Sequence, residues 1–286
     1  MATSTDVAPI REAGGRLSDD LRAVRVVWRR ELIRFLRNRA RMVTALVQPV
    51  LFLLVLGTGL ARMMPSAGGQ VDFRTFMFPG VLAMTVLFTS IFSAVSIVWD
   101  REFGFMREML VAPVRRGALV IGKCLGGMTV ATIQGGIMLI LAGLVHVPYS
   151  PALLGVLLVE MALAALALTA LGTLVASRAN RIESFQVIVQ FLVLPMFFLS
   201  GALFPLSGLP RWLTALTLLD PLSYAVDPMR RAVFAHVTAP PALSRTLDAG
   251  ISWGGWTLPT SLELGLVAAL ALIALAFAGR TFSRTE

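Results

Sequence analysis

Gly117-Ala118-Leu119-Val120-Ile121-Gly122-Lys123-Cys124 follows the spacing of a phosphate-binding loop up to its last position. That loop needs a buried strand before it and a Ser or Thr hydroxyl for Mg²⁺. Cys124 replaces the hydroxyl, and apolar sequence follows, so no nucleotide site is expected in this chain. Lys123 is expected to extend its stem and snorkel its ammonium toward the membrane surface. Glu160 is the charge that most needs explaining. It stands eight residues into an apolar run that opens near Ala152, about 12 Å deep at 1.5 Å per residue. An intramembrane charge costs on the order of 2.5–3.5 kcal/mol, so Glu160 must face protein, pair, or hold a proton. It is a candidate for a structural carboxylate at a helix contact, or for a translocation path or a proton site. Glu263 lies near the start of the last apolar run and is expected to reach interfacial water. Gln48, Gln134, Gln186 and Gln190 are the other interior polar groups, and such amides usually make interhelical hydrogen bonds. His146, His236 and Cys124 offer neither metal-ligand spacing nor a Ser-His-Asp set, so neither a resident metal nor enzymatic catalysis is expected.

The elements that must position these residues are six apolar runs, roughly Val43–Leu60, Phe76–Trp99, Leu119–Val145, Ala152–Ala176, Ser184–Phe204 and Ser261–Gly279. Each approaches the ~20 residues a helix needs to cross a bilayer. With 14% charged residues and a mean hydropathy of +0.80, the 286-residue chain lacks the polarity of a soluble surface. The fold class is all-α integral membrane, with six transmembrane helices. Of the 25 Lys and Arg residues, 19 fall before the first run or after the second, fourth and sixth. The positive-inside rule then places both termini in the cytoplasm of a multi-pass cell membrane protein. The net charge of +9 reads as topology, and no nucleic-acid partner is expected. Residues 1–17 have no apolar core of a signal peptide and read as a flexible cytoplasmic tail, so the first span serves as insertion signal. Residues 281–286 form the other tail.

Three segments are neither span nor simple loop. Residues 18–41 start on an Ser18-Asp19-Asp20 cap, and Leu21, Val24, Trp28, Leu32 and Phe35 form one apolar stripe opposite arginines. An interfacial amphipathic helix is expected, the alternative being a soluble amphipathic helix packed on a partner. Residues 100–117 mix opposite charges with Phe103, Phe105, Met106, Met109 and Leu110, and Pro113 stops any helix there. An apolar knob with a charged rim suits a cytoplasmic partner, and the alternative is a segment folded back on the membrane interface. Residues 205–259, on the outer side, are proline-rich. They hold one short helix over Arg211–Leu219 within a pair of re-entrant or interfacial helices, before an irregular cap. Pro195 marks a kink in the fifth span. Gly122 and Gly126, then Gly135 and Gly136, give small surfaces where helices can approach closely.

With those residues in place, the chain resembles the type-2 ABC exporter permeases, above all the daunorubicin/doxorubicin-resistance permease group. Glu102–Gly117, EFGFMREMLVAPVRRG, resembles the family's coupling segment; Phe198–Pro210, FLSGALFPLSGLP, followed by Asp220–Arg230, DPLSYAVDPMR, resembles its signature around a broken fifth helix. The resemblance covers about Asp20 to Arg280. It implies a type-2 ABC transmembrane domain over residues 42–280, with residues 18–41 as the connecting helix. It also implies an ATP-binding-cassette ATPase partner carrying ATP and Mg²⁺, and a second permease copy in a homodimer. Arg101, Glu102, Phe105, Met106, Arg107, Glu108, Met109, Leu110 and Pro113 would contact the ATPase. Glu160, Gln186, Gln190, Phe198 and Gly201 are candidates for the path of a small hydrophobic or lipid-like cargo. Phe204, Pro205, Pro210, Pro221 and Tyr224 belong to the outer gate. Two other readings stay open, a proton-coupled secondary transporter that titrates Glu160 and a membrane assembly protein without transport.

Overall fold

A computed structural model describes residues 17–61, 73–104, 115–206, 208–237, 250–253 and 255–284. Six helices are long and apolar enough to cross a bilayer: Met42–Gly59, Phe73–Glu102, Arg116–Val145, Pro151–Arg178, Ile182–Leu199 and Thr260–Thr281. In lipid each backbone N–H and C=O must bond within its own segment, so continuous apolar sequence becomes helix. Five of the six expected runs return with limits within about a turn. The fifth stops at Leu199, short of Phe204, because the chain reverses at Gly201, whose φ of 73° favours a residue without a β-carbon.

The second span is the axis of the bundle. Every residue from Thr75 to Leu87 is buried, and the third and fourth spans pack along it. Phe78, Leu82 and Ile91 meet Met138, Leu157, Met161 and Phe185 in one apolar core. The first span is the loosest, leaning on the second and leaving Val43, Val47, Leu51 and Val55 exposed. It carries Pro49 and then a π-helical turn over Phe52–Leu56. Proline has no N–H and crowds the preceding turn, which disturbs the regular ladder around it.

The N-terminal helix, Leu17–Arg37, packs lengthwise on the third span. Trp28 Nε1 donates to Thr129 Oγ1 at 3.0 Å, and Val27 is buried at the contact. The stripe that promised an interfacial helix therefore meets protein along much of its length, while Arg22, Arg25, Arg29 and Arg37 stay exposed. After the fifth span come the two expected short helices, Arg211–Leu219 and Ser223–Phe234. The second is buried from Ser223 to Arg230 against the second, fourth and sixth spans. A two-residue hairpin pairs Ser252 with Thr257 and Trp253 with Trp256. Residues 117–124 are helical throughout, so the phosphate-loop spacing forms no loop.

Candidate functional site: a charged hub at the base of the 105–114 segment

Three consecutive charges close the second span, and each holds a different part of the bundle. Asp100 is 2% exposed. Lys123 Nζ of the third span donates to its Oδ2 at 2.6 Å and to Ser96 Oγ at 3.3 Å. Arg30 Nη2 of the N-terminal helix donates to Oδ1 at 3.0 Å and Oδ2 at 3.2 Å. Glu31 Oε1 lies 3.9 Å from Lys123 Nζ and 3.9 Å from Arg34 Nη1. Lys123 thus balances Asp100 inside the bundle, with Arg30 reaching in from the surface, which is the condition for keeping that buried pair out of water. Lys123 does not snorkel. Its ammonium is buried because Asp100 lies at the same depth on the neighbouring helix.

Arg101 and Glu102 tie the fourth and fifth spans. Arg101 Nη1 donates to the carbonyls of Ser177 and Ala179, each at 3.0 Å, where the fourth span ends. A cation at those unpaired carbonyls also complements the negative end of the helix dipole. Glu102 Oε2 accepts from the N–H of Ile182 at 2.9 Å, at the positive start of the fifth span. Both side chains, expected to face a partner, have partners inside the chain. On the far side of the segment, the N–H of Arg115 donates to Asp20 Oδ1 at 3.2 Å. Residues 105–114 are thus bracketed by contacts that return to the N-terminal helix. Phe105, Met106, Arg107, Glu108, Met109, Leu110 and Pro113 themselves lie outside the described residues.

Two glycines permit this assembly. A β-carbon on Gly122 would come 2.9 Å from Val27 Cβ, and one on Gly126 would come 2.7 Å from Glu31 Cβ. Their four-residue spacing puts both on the face of the third span that receives the N-terminal helix.

A second polar cluster lies at the opposite end. Arg231 Nη2 pairs with Asp227 Oδ2 at 2.6 Å and with Glu263 Oε1 at 3.2 Å, and Arg231 Nη1 donates to the carbonyl of Leu258 at 2.8 Å. Glu263 does not reach water, being 0% exposed in this cluster. Glu160 is 5% exposed, lies within electrostatic reach of Glu263, and its Oε2 has no hydrogen-bond partner. The guanidinium of Arg230 sits 4.5 Å above the Phe76 ring and donates to the Gly201 carbonyl. Tyr224 Oη donates to the Leu218 carbonyl at 2.8 Å. Asp220 accepts from the Leu222 N–H at 3.0 Å, and burial pushes its carboxyl up to about 7.

The chain with this architecture, an N-terminal helix packed on the third span, a charged hub at one end and two short helices at the other, matches the ABC-2 type transporter family over residues 22–234. The chain belongs to that family. Among its relatives, Nodulation protein J of Rhizobium leguminosarum bv. trifolii is 29% identical over 73% of this chain and 80% of its own. Putative transport permease ycf38 of Cyanophora paradoxa is 27% identical over 72% of each chain. Probable multidrug ABC transporter permease YbhR of Escherichia coli (strain K12) is 28% identical over 55% of this chain and 43% of its own. The protein is therefore a multi-pass permease subunit of an ABC transporter, noncatalytic itself and served by an ATPase partner.

Within this ABC-2 permease the expected path residues separate. Glu160 faces the interior, toward the sixth span. Gln186, Gln190 and Phe198 are exposed on the fifth span, beside Val187, Phe191 and Leu194. Gly201 is buried under Leu206, Phe204 and Pro205 are half-buried, Pro210 opens the first short helix, and Pro221 and Tyr224 lead into the second. Gln134 makes the expected interhelical bond, its amide donating to the Met42 carbonyl at 2.9 Å. Arg30, Glu31, Ser96 and Asp100 were not singled out as site residues from sequence. The available signal was the opposite charge of Asp100 and Lys123 on consecutive antiparallel spans.

Proposed function

We propose that this permease is the membrane half of an ATP-driven exporter. Two copies form the path for a hydrophobic drug, lipid or glycan-type molecule. Separate ATP-binding-cassette subunits hold ATP and Mg²⁺ and hydrolyse the nucleotide. The hub end, where arginines collect, faces the cytoplasm of the cell membrane, together with both termini.

The observation that carries this reading is the run Asp100-Arg101-Glu102. A push on residues 105–114 reaches the N-terminal helix and third span through Asp100, and the fourth and fifth spans through Arg101 and Glu102. Phe105, Met106, Met109 and Leu110 serve as the apolar grip, with Arg107 and Glu108 fixing register and Pro113 ending the segment. Met106→Asp is expected to abolish co-purification of the ATPase and transport, while membrane insertion is unchanged. Full complex formation and transport by that variant would overturn the assignment.

Glu160 favours one second reading, proton-coupled transport. Among the described residues, however, no Asp or Glu bridges the distance from Glu160 to the hub, as a relay of carboxyls would require. Transport that resists ATP depletion and stops with a protonophore is what that reading predicts.

A further inference from the structure

A cavity of about 440 Å³ lies between the N-terminal helix and the first three spans, beside the hub. That volume is typical of small-molecule sites. One wall is aromatic: the rings of Phe88 and Phe92 stack at 6.2 Å between centroids, and Trp99 continues the surface toward the hub. Three of the polar atoms around it lack a hydrogen-bond partner. Gln134, fully buried, uses its amide N–H on Met42 and leaves Oε1 without a partner. Thr89 Oγ1 has no partner either, although Thr85 one turn earlier bonds the Val81 carbonyl at 2.9 Å. Glu31 Oε1 also makes no hydrogen bond, its two cations lying 3.9 Å away. An amide oxygen and a hydroxyl, buried without a partner, are costly as they stand and are satisfied once a donor reaches them, and Glu31 adds an acceptor held only by charge at 3.9 Å.

Resting on the export reading, we propose that this cavity is a loading site within one permease copy. It takes an amphiphile whose polar end donates hydrogen bonds, from the N–H of a cation or from a hydroxyl, and whose flat apolar body lies on Phe88, Phe92 and Trp99. Glu31 belongs both to this wall and to the hub, so occupancy acts directly on the residues at the base of the 105–114 segment.

The test uses the full chain in phosphatidylcholine nanodiscs, without nucleotide, and reads rhodamine 6G binding by fluorescence anisotropy. Saturable binding is expected. Ala45→Trp, which fills the cavity, should weaken it by about tenfold or more, and Thr89→Val by roughly two- to tenfold. Tetraphenylphosphonium, a cation without donors, should compete about tenfold less well than rhodamine 6G. Competition by anthracenemethanol supports the hydroxyl donor, and its absence supports the N–H cation. Wild-type affinity in a folded Ala45→Trp, checked by its melting temperature, overturns the proposal, as does tetraphenylphosphonium competing as well as the dye. These results do not depend on the ATPase. Failure of the ATPase to co-purify would sink the export reading and leave the cavity measurement standing.

Discussion

Asp100 and Lys123 form a buried pair whose members are each harmful alone. Removing one partner of such a pair leaves an uncompensated charge at a cost of about 3–5 kcal/mol, whereas replacing both with apolar groups is often near neutral. Asp100→Asn and Lys123→Met are each expected to lower the melting temperature of the purified permease, and the double variant to recover more than half of the loss. Equal losses in all three would show that the pair contributes little. Asp220 supplies a pH signature. Its carboxyl is raised from an ordinary value of about 4 to about 7 by burial. The folded chain therefore keeps a proton that the unfolded chain releases. Stability should fall as pH rises from about 4 to about 7, then level off, and Asp220→Asn should flatten that slope. Neither Lys123 nor Glu263 was correctly placed from sequence, since position along a span sets depth and leaves the partner unspecified. The partner of Lys123 sits 23 positions away, and that of Glu263 sits 32 positions away.

At the scale of elements, length and composition made the spans legible, because lipid permits only one backbone solution for a long apolar run. Ends set by turn chemistry were less legible. The fifth helix yields at Gly201, and its apolar sequence runs on past that point, masking the stop. The N-terminal helix was recognisable by its stripe, but its docking surface was not, because two glycines four apart mark a close approach without naming the neighbour. Gly126→Leu tests that contact. The β-carbon alone would collide with Glu31, so the N-terminal helix should lift off the third span. Limited proteolysis within Leu17–Arg37 is expected to accelerate several-fold, with the six spans still inserted. Unchanged cleavage would mean that the helix is held elsewhere.

For the whole molecule, the sequence revealed that residues 100–117 are special and left unseen how their flanks are tied down, since those ties run to helices as far as 95 residues away. A membrane-impermeant maleimide should label a cysteine at Met109 only after cells are opened, if the hub end faces the cytoplasm. Labelling of intact cells would reverse the orientation and remove the ATPase from reach. The exposed apolar faces of the first and fifth spans, with Val47, Leu51, Val187 and Phe191 outward, are among the surfaces open to lipid or a second copy.

The clamp of Arg101 and Glu102 on either side of residues 179–182 has a mechanical consequence. The end of helix four and the start of helix five are both bonded to the end of helix two, so a movement of helix two pulls on that corner. Loosening that corner with Arg101→Gln should let the motor burn fuel in neutral: nucleotide turnover continues at a normal pace while little cargo crosses.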